Sequence, residues 1–251
     1  MVTKTASKLV KDTVQAALKL AGYQLTRSSQ GSVYVPTPPN TYPIYTPSEE
    51  DGYQREFARF AEHTLTRPDR AWIMRQTAHQ ALRVAGDWVE AGVFRGGTSW
   101  YLAELLREAG DERPLHCFDS FEGMPADADK ERDGHEPGDF NDTSLERVTA
   151  LLSDFANVQI HPGFIPGTLA PVEERSFSLV HIDVDIYSAV RDCCAFFYPR
   201  TNPGGFLLFD DYGFEAYRDA AKRAVDEYFA DKPESVFALR TGQALVVKLP
   251  A

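Results

Sequence analysis

Four aspartates stand in two short segments, each of which continues an apolar run. Asp183 and Asp185 belong to the segment HIDVDIY, and Asp210 and Asp211 belong to the segment FDDYG. Carboxylates gathered in one place repel one another unless a cation neutralises them, and oxygen ligands of this kind favour Mg²⁺. Alternate residues of an extended segment share a face, so Asp183 and Asp185 can both face one cleft. The pattern predicts a divalent metal beside a carboxylate free for proton transfer, with separate helix caps and salt bridges as the alternative.

A glycine-rich turn follows the first apolar run after Gly86. It reads EAGVFRGGTS from Glu90 to Ser99. Glycines let a ligand approach the backbone, and the N-terminus of a following helix offers free N–H donors. Glu90 would repel a pyrophosphate and suits a cationic ligand, so the turn predicts a ligand site that is not a phosphate-binding loop. A plain strand-to-helix turn is the alternative interpretation.

Asp119 ends the next apolar run, in the segment CFDSFEGMP. In doubly wound folds, an acidic residue about 20 positions beyond the glycine turn binds ribose hydroxyls. A carboxylate suits that task because it can accept a hydrogen bond from both hydroxyls. Together with the glycine turn, Asp119 predicts an adenosyl ligand, whereas a capping aspartate is the alternative.

The elements that must position these residues follow from the alternation of short apolar runs and helical stretches. The predicted strands are residues 88–91, 115–118, 158–161, 179–182 and 205–209, and the predicted helices are residues 100–107, 144–155, 188–197 and 217–229. Strands alternating with helices indicate an α/β fold with a mostly parallel sheet. Residues 236–239 and 244–247 flank the turn RTGQ, which predicts a C-terminal antiparallel hairpin.

The first 70 residues have a different texture. Apolar residues at helical spacing predict a helix over Ala6–Ala21 that packs on the body or on another subunit, with a membrane-surface helix as the alternative. Five prolines and three tyrosines between Tyr34 and Pro47 exclude a helix and a central strand, and predict a long loop that acts as a lid or as a surface linker. We therefore divide the chain into an N-terminal helix and lid region, residues 1–70, and a main domain, residues 71–251. We expect residues 1–50 to form the lid and part of a homo-oligomer interface.

Composition excludes several classes of protein. The 251 residues carry a formal net charge of −11, which disfavours a nucleic-acid partner. No stretch approaches the ~18 apolar residues of a membrane span, and the first residues lack the apolar centre of a signal peptide. Cys117, Cys193 and Cys194 form neither a disulfide framework nor a zinc site. We therefore expect a cytoplasmic protein without a membrane partner, acting on a small molecule or a protein.

Five segments, in order, resemble the metal- and S-adenosylmethionine-dependent O-methyltransferases of the macrocin and mycinamicin type, which modify antibiotic sugars. The segments are residues 88–98, 118–125, 163–171, 181–187 and 203–212, and the resemblance extends over residues 70–249. Enzymes of the novobiocin pathway that act on aromatic hydroxyls resemble the same segments. The resemblance implies a Rossmann-like class I methyltransferase sheet and a reaction class, but not the identity of the acceptor.

The resemblance also implies a role for each motif around S-adenosylmethionine (SAM). It places Glu90 and Gly92 beside the methionine part of SAM and Asp119 on the ribose. It places Ser120 and Phe121 near the adenosine.

At the reaction centre, the resemblance implies that Asp183, Asp210 and Asp211 hold Mg²⁺ and that Asp185 is the general base. The expected acceptor is a small natural product, most simply a deoxysugar of a glycosylated antibiotic. The residues expected to contact it are Tyr45, His135 and Tyr187.

Other functions stay open at this point. A phenolic hydroxyl would use the same metal site, and a non-catalytic SAM-binding protein would have lost at least one of the four aspartates. A nicotinamide oxidoreductase would have a more regular glycine motif and no carboxylate cluster. His181 is interpreted as a buried histidine bonded to a neighbouring element rather than as a base, and His135 lies in a charged loop that contacts the acceptor or faces solvent.

Overall fold

The computed structural model describes residues 23–28, 31–36 and 46–250. The chain forms two compact units, Met1–Thr46 and Pro47–Ala251. In the first unit, β1 (Tyr23–Ser28) pairs antiparallel with β2 (Gly31–Pro36). The predicted loop 34–47 therefore starts as strand, and Pro36 is tolerated there because it ends a strand of a two-stranded sheet. The predicted helix Ala6–Ala21 lies outside the described residues, as does Tyr45.

The second unit is built on a seven-stranded sheet within residues 46–250, with the strand order β5-β4-β3-β6-β7-β9-β8. The strands are β3 (Asp87–Ala91), β4 (Leu115–Asp119), β5 (Val158–Pro162), β6 (Phe177–Ile182), β7 (Thr201–Phe209), β8 (Phe237–Ala238) and β9 (Ala244–Val247). The strands β3 to β7 are parallel, whereas β9 runs antiparallel to both β7 and β8. The predicted mostly parallel sheet with a C-terminal antiparallel hairpin is confirmed.

Helices connect the strands as the alternation predicted. They are α1 (Asp51–Phe57), α2 (Pro68–Ala81), α3 (Gly97–Ala109), α4 (Lys130–Asp133), α5 (Leu145–Leu152), α6 (Tyr187–Phe197) and α7 (Arg223–Phe229). The predicted helix 217–229 is interrupted, because a 3₁₀ turn and a π-helical segment, Arg218–Lys222, precede α7. Within the part of the chain that the structure describes, no helix is long and apolar enough to cross a membrane.

Alternate residues of the central strands feed two apolar layers, one on each face of the sheet. Val89 and Ala91 of β3 belong to the layer that α6 and α7 cover, and Trp88 belongs to the layer that α1, α2 and α3 cover. This period of two is what a strand buried on both faces requires. The free thiols Cys117, Cys193 and Cys194 are buried in these layers, as expected for a structural role.

The core begins before the predicted boundary at residue 70. Tyr53 is 4% exposed and Phe60 is fully buried, and both pack in the apolar layer that contains Trp88. Residues from Pro47 onward therefore belong to the compact unit that carries the sheet. Apolar side chains in α1 and in the turn after it explain the difference, since burying them stabilises the unit.

Candidate active site

The glycine turn after β3 makes a close contact with the strand beside it. Gly92 adopts a φ of +91°, and its N–H donates to the Phe118 carbonyl oxygen at 2.8 Å. A Cβ at this position would lie 2.6 Å from the carbonyl carbon of Asp183. Gly96, with a φ of +87°, then starts α3. These two glycines are therefore required by geometry, the first by a neighbouring backbone and both by the left-handed conformation.

The carboxylate of Asp119 joins the two loops that the sequence assigned to the cofactor. Its Oδ2 accepts hydrogen bonds from the backbone N–H groups of Val93 and Phe94 at 2.7 and 2.8 Å. Its Oδ1 accepts one from the N–H of Phe121 at 2.7 Å. Asp119 thus caps loops as the alternative interpretation stated, and it also lines the central cavity. Its bond to ribose stays a prediction.

Ser120 and Phe121, which follow Asp119, lie on different sides of the loop: one faces the cavity and the other the apolar core. Ser120 lines the cavity and donates its hydroxyl to the Gly123 carbonyl oxygen at 3.0 Å. Phe121 has a φ of +56° and packs against the apolar layer that contains Trp88. Among the described residues that line the cavity, Phe121 is missing, so its predicted contact with adenosine has no support in its position.

The four predicted aspartates come together at the carboxyl edge of the sheet. Carboxylate oxygens of Asp183, Asp185 and Asp211 lie within 4.8 Å of one another. A second group, with the same spacing, joins Asp183 to Asp210 and to a ring nitrogen of His181. We call Asp183, Asp185, Asp210 and Asp211 the carboxylate cluster. The predicted base Asp185 thus lies among the predicted ligands, and the division of roles between them stays a prediction.

Burial and mutual repulsion set the charge state of the cluster. Burial raises the pKa of Asp183 well above its usual range, and the neighbouring charges of Asp210 and Asp211 raise it further. Burial likewise raises the pKa of Asp211, together with the charge of Asp185. Although burial also opposes ionisation of Asp210, the neighbouring imidazole of His181 and the charge of Arg70 lower the pKa of its carboxyl. Such a cluster is stabilised by a cation.

Arg70 is a member of the site that sequence reasoning missed. It projects from α2, and its Nη2 forms an ion pair with Asp210 and lies 3.2 Å from Asp211 Oδ1. The negative field of the cluster raises the pKa of the guanidinium despite burial. The four aspartates predict a nearby positive charge, but their pattern in the sequence does not identify Arg70 as the side chain that provides it.

His181 links the glycine turn to the cluster from behind the cavity. The ring is 1% exposed, with Nδ1 3.2 Å from Glu90 Oε1 and Nε2 3.4 Å from Asp210 Oδ1. Burial lowers the pKa of the imidazole, but the two carboxylates outweigh it and raise the pKa to about 10. The interpretation of His181 as a buried histidine bonded to a neighbouring element is confirmed.

Glu90 does not reach the cavity as the resemblance implied. Its side chain is fully buried, accepts a hydrogen bond from Ser99 and pairs with His181. The reason is the strand period, since Val89 and Ala91 face one apolar layer and Glu90 faces the other. Among the described residues, the lining at this turn consists of Gly92, Val93 and Phe94.

Asp185 is held in a strained position beside aromatic rings. Its φ is +56°, a left-handed conformation that is uncommon for an aspartate and often marks a functional residue. His135 Nε2 lies 3.7 Å from Asp185 Oδ1 and 3.1 Å from the Tyr217 hydroxyl. The nearby carboxylate of Asp185 raises the pKa of His135 although burial opposes the charge. His135 therefore adjoins the predicted base, and its contact with an acceptor stays a prediction.

Tyr187 points away from the cavity, contrary to its predicted role. Its hydroxyl donates to Glu227 Oε2 at 2.6 Å, and the guanidinium carbon of Arg223 lies 5.1 Å from the ring centre. The backbone N–H of Tyr187 donates to Asp133 Oδ1 at 3.0 Å. Because Tyr187 is the first residue of α6, its side chain packs towards α7. The structure therefore gives no support to an acceptor contact.

One cavity of about 530 Å³ joins these features. Gly92, Asp119 and Ser120 line it together with Asp183, Asp185 and Asp211 of the carboxylate cluster. Its size is in the range of small-molecule sites. The exposed side chains Leu65 and Phe164 also line it. The cavity can therefore bring a ligand at the glycine turn into contact with a second molecule at the aspartates.

This sheet order, with a glycine turn after β3 and an acidic residue ending β4, defines a Rossmann-like class I methyltransferase. The chain belongs to the Macrocin-O-methyltransferase (TylF) family, whose model matches residues 55–233.

Curated relatives of this chain are O-methyltransferases of antibiotic pathways. An 8-demethyl-8-(2,3-dimethoxy-alpha-L-rhamnosyl)-tetracenomycin-C 4'-O-methyltransferase of Streptomyces olivaceus is 37% identical over 165 residues, which are 61% of this chain and 62% of that relative. Mycinamicin III 3''-O-methyltransferase of Micromonospora griseorubida is 31% identical over 66% of this chain and 71% of its own length. Demethyldecarbamoylnovobiocin O-methyltransferase of Streptomyces niveus is 31% identical over 67% and 68%.

Solved structures agree on the fold. The O-methyltransferase NovP superimposes with a TM-score of 0.66 at 26% identity, over 75% of this chain and 83% of its own. The calicheamicin methyltransferase CalS11 has a TM-score of 0.60 at 19% identity, over 81% and 94%. An O-methyltransferase of Bacillus cereus in complex with SAH has a TM-score of 0.53 at 14% identity, over 79% and 92%.

Proposed function

We propose that this protein is a SAM-dependent, divalent-metal-dependent O-methyltransferase that acts on a sugar hydroxyl of a glycosylated natural product. The observation that carries the proposal is a single cavity lined by Gly92 and Asp119 and also by Asp183, Asp185 and Asp211. The family, and relatives that methylate a rhamnosyl-tetracenomycin and a mycinamicin, support the same reaction class.

The residues at the glycine turn fit SAM. Gly92 lines the cavity with backbone alone, and Asp119 lines it with a carboxylate that is able to accept from ribose hydroxyls. Ser120 follows it along the same wall. The acidic cavity suits a sulfonium, which is the cationic centre of SAM. Glu90 lies outside the cavity lining and contributes by its ion pair with His181 rather than by contact with the cofactor.

The carboxylate cluster fits a hard divalent cation such as Mg²⁺. Carboxylate oxygens of Asp183, Asp185 and Asp211 lie within 4.8 Å of one another, and Asp210 belongs to a second such group with Asp183, so oxygen donors for an ion stand close together. Burial and mutual repulsion raise the pKa of Asp183 and Asp211, and a cation would relieve that repulsion. Asp183, Asp210 and Asp211 would hold the ion. When bound, the cation stabilises a developing alkoxide and SAM supplies an electrophilic methyl group.

Asp185 is the residue that would remove the proton from the acceptor hydroxyl. It lines the cavity beside Asp183 and Asp211, so a hydroxyl held at the cluster would lie within reach of its carboxylate. The left-handed backbone of Asp185 and the nearby ring of His135, which stacks on Tyr217, orient this carboxylate. Proton transfer to a positioned carboxylate and close placement of the acceptor are the two contributions expected from this chain.

The cavity wall offers both apolar and carboxylate groups to an acceptor. The apolar residues Leu65 and Phe164 suit an acceptor with an apolar aglycone, whereas the carboxylates suit its hydroxyls. A phenolic acceptor is the second candidate, since a phenolic hydroxyl would use the same carboxylate cluster. A non-catalytic SAM-binding protein is disfavoured because all four aspartates are present and gathered in one place.

A methyl-transfer screen tests the proposal. Purified protein is incubated with SAM and with rhamnosylated tetracenomycin-type polyketides, deoxysugar macrolides and catechols, with Mg²⁺ or with a chelator. We expect a methylated sugar, found by mass spectrometry, only when Mg²⁺ is present. Methylation of the catechols alone would favour the phenolic alternative. Calorimetric binding of SAM without transfer to any acceptor would favour a binding protein, and full activity in the chelator would exclude the metal.

A further inference from the structure

Arg70 occupies a position that the proposed reaction does not explain. Its side chain is 13% exposed, and its Nη2 contacts three oxygens of the two residues that follow β7. These are Asp210 Oδ2, the Asp210 carbonyl oxygen at 3.0 Å and Asp211 Oδ1 at 3.2 Å. Arginine stays protonated at all accessible pH values, so this is a permanent positive charge placed inside the carboxylate cluster.

Apart from these oxygens, the guanidinium of Arg70 has few polar contacts among the described residues. Its Nε is buried and has no hydrogen-bond partner among the described residues. The ring of Phe214 lies 5.0 Å from the guanidinium carbon and offers a flat face rather than a carboxylate. Gln243 Nε2 donates to Asp210 Oδ1 at 2.6 Å and so supports Asp210 independently of Arg70. Asp210 therefore has a second donor that remains if the guanidinium leaves.

The guanidinium and a bound metal ion would share the same carboxylates. Asp210 and Asp211 are proposed metal ligands, and Arg70 binds one carboxylate oxygen of each. An ion of charge +2 at these oxygens would lie within a few ångströms of the guanidinium, where like charges repel strongly in a poorly solvated site. Arg70 and the divalent ion are therefore not compatible with full occupancy of the same carboxylates.

We propose that Arg70 is the resident counter-ion of the metal-free cluster and that its guanidinium must leave Asp210 and Asp211 for a divalent cation to bind. The inference rests on the proposed metal site. Arg70 stabilises the four carboxylates while no metal is bound and thereby weakens the affinity for the metal. Because Arg70 also lines the cavity, metal binding is coupled to the shape and charge of the acceptor side.

The alternative is that Arg70 stays in place and orients Asp210 and Asp211 for the metal. Both arrangements begin from the same contacts, but they predict opposite effects of removing the positive charge. If Arg70 competes, its removal strengthens metal binding. If Arg70 orients the ligands, its removal weakens metal binding.

The test is isothermal titration of Mg²⁺ and of Mn²⁺ into the full chain, without SAM or acceptor, for the wild type and for Arg70→Gln. We expect Arg70→Gln to bind the metal at least about fivefold more tightly, a coupling in the range usual for linked sites. Its melting temperature should be lower than that of the wild type in a chelator and should rise further on addition of Mg²⁺. Arg75→Gln is the matched control, because Arg75 lies on the same helix and pairs with Glu56 at 3.1 Å, away from the cluster.

Each outcome decides between the possibilities. Equal or weaker metal binding by Arg70→Gln would overturn the competition, as would an equal gain in Arg75→Gln. If neither the wild type nor Arg70→Gln binds a metal while both bind S-adenosylhomocysteine, the proposed metal site itself fails, and the inference with it. If Arg70→Gln does not fold, Arg70→Met replaces it, because it also removes the positive charge, and a metal affinity no higher than that of the wild type would count against the proposal.

Discussion

The backbones of Gly92 and Asp183 are in close contact at the carboxyl edge of the sheet. A Cβ on residue 92 would lie 2.6 Å from the Asp183 carbonyl carbon. The N–H of Asp183 donates to the Ala91 carbonyl oxygen at 2.8 Å, which fixes the two segments side by side. The glycine turn of the proposed cofactor site is thereby attached to the first aspartate of the carboxylate cluster. A disturbance on one side is transmitted to the other.

Gly92→Ala should therefore damage both halves of the site. The left-handed φ costs about 1–2 kcal/mol for any residue with a Cβ, and the contact with Asp183 adds to it. We expect a loss of stability in urea unfolding together with weaker SAM binding. Gly138→Ala is the matched control, since Gly138 has a φ of +84° and open space around its Cβ position. Equal losses in both variants would show that the contact with Asp183 is unimportant.

Asp185→Asn should remove the general base and leave the backbone in place. Asparagine tolerates the left-handed conformation of Asp185, with a φ of +56°, about as well as aspartate. We expect kcat to fall by ~10²–10⁴, the usual effect of losing a general base, with nearly unchanged SAM affinity in calorimetry. Asp192→Asn is a control on the same cavity wall. A variant that kept its kcat would transfer the role of base elsewhere.

Asp119→Ala and Glu90→Gln should separate the two acidic residues assigned to the cofactor. Asp119 lines the cavity, so its loss should weaken SAM binding as measured by calorimetry. Glu90 is buried against His181, so Glu90→Gln should leave SAM affinity nearly unchanged but lower the free energy of unfolding by about 3 kcal/mol, as for a broken buried ion pair. The reverse pattern would restore the role that the family resemblance implied for Glu90.

The strands and the aspartates could be predicted from the sequence because both are local patterns. The period of two and the segments HIDVDIY and FDDYG placed Asp183 and Asp211 at adjacent strand ends, where the structure has them. The same period places Glu90 on the face of the sheet opposite to that of Val89 and Ala91. This position conflicts with the contact to the cofactor that the family resemblance implies for Glu90.

Arg70 and Tyr187 could not be predicted in this way. Arg70 is separated from Asp210 by 140 positions, and no pattern in α2 distinguishes it from a surface arginine. Tyr187 opens a helix, and its direction follows from packing against Glu227 and Arg223 of a later helix. Tertiary contacts determine the direction of such side chains. The location of a residue at a strand end follows instead from the local sequence pattern.

His161 should make the stability of the protein depend on pH. His161 Nε2 lies 3.1 Å from His116 Nδ1. Burial and the neighbouring His116 lower the pKa of His161 to about 4. The unfolded chain, with a histidine pKa near 6.5, therefore binds the proton first as the pH falls. The contribution of His161 is present above about pH 6.5 and is lost towards pH 4. In urea titrations the wild type should lose more stability over this interval than His161→Gln, and parallel curves would contradict the assignment.

Removal of the N-terminal region should affect acceptor turnover and assembly but not cofactor binding. The prolines and tyrosines of this region predict a lid, because tyrosine suits a glycosylated acceptor and prolines limit the entropy lost on ordering. The apolar stripe of the predicted helix Ala6–Ala21 must pack on another surface, so residues 1–50 are also expected to form part of a homo-oligomer interface. The compact unit that carries the sheet starts at Pro47, and Ser48 is buried in it, so the deletion should remove residues 1–46. We expect the truncated protein to bind SAM normally, because Gly92 and Asp119 remain, and to lose acceptor turnover. Full turnover after truncation would exclude the lid, and an unchanged oligomeric state in light scattering would exclude the interface.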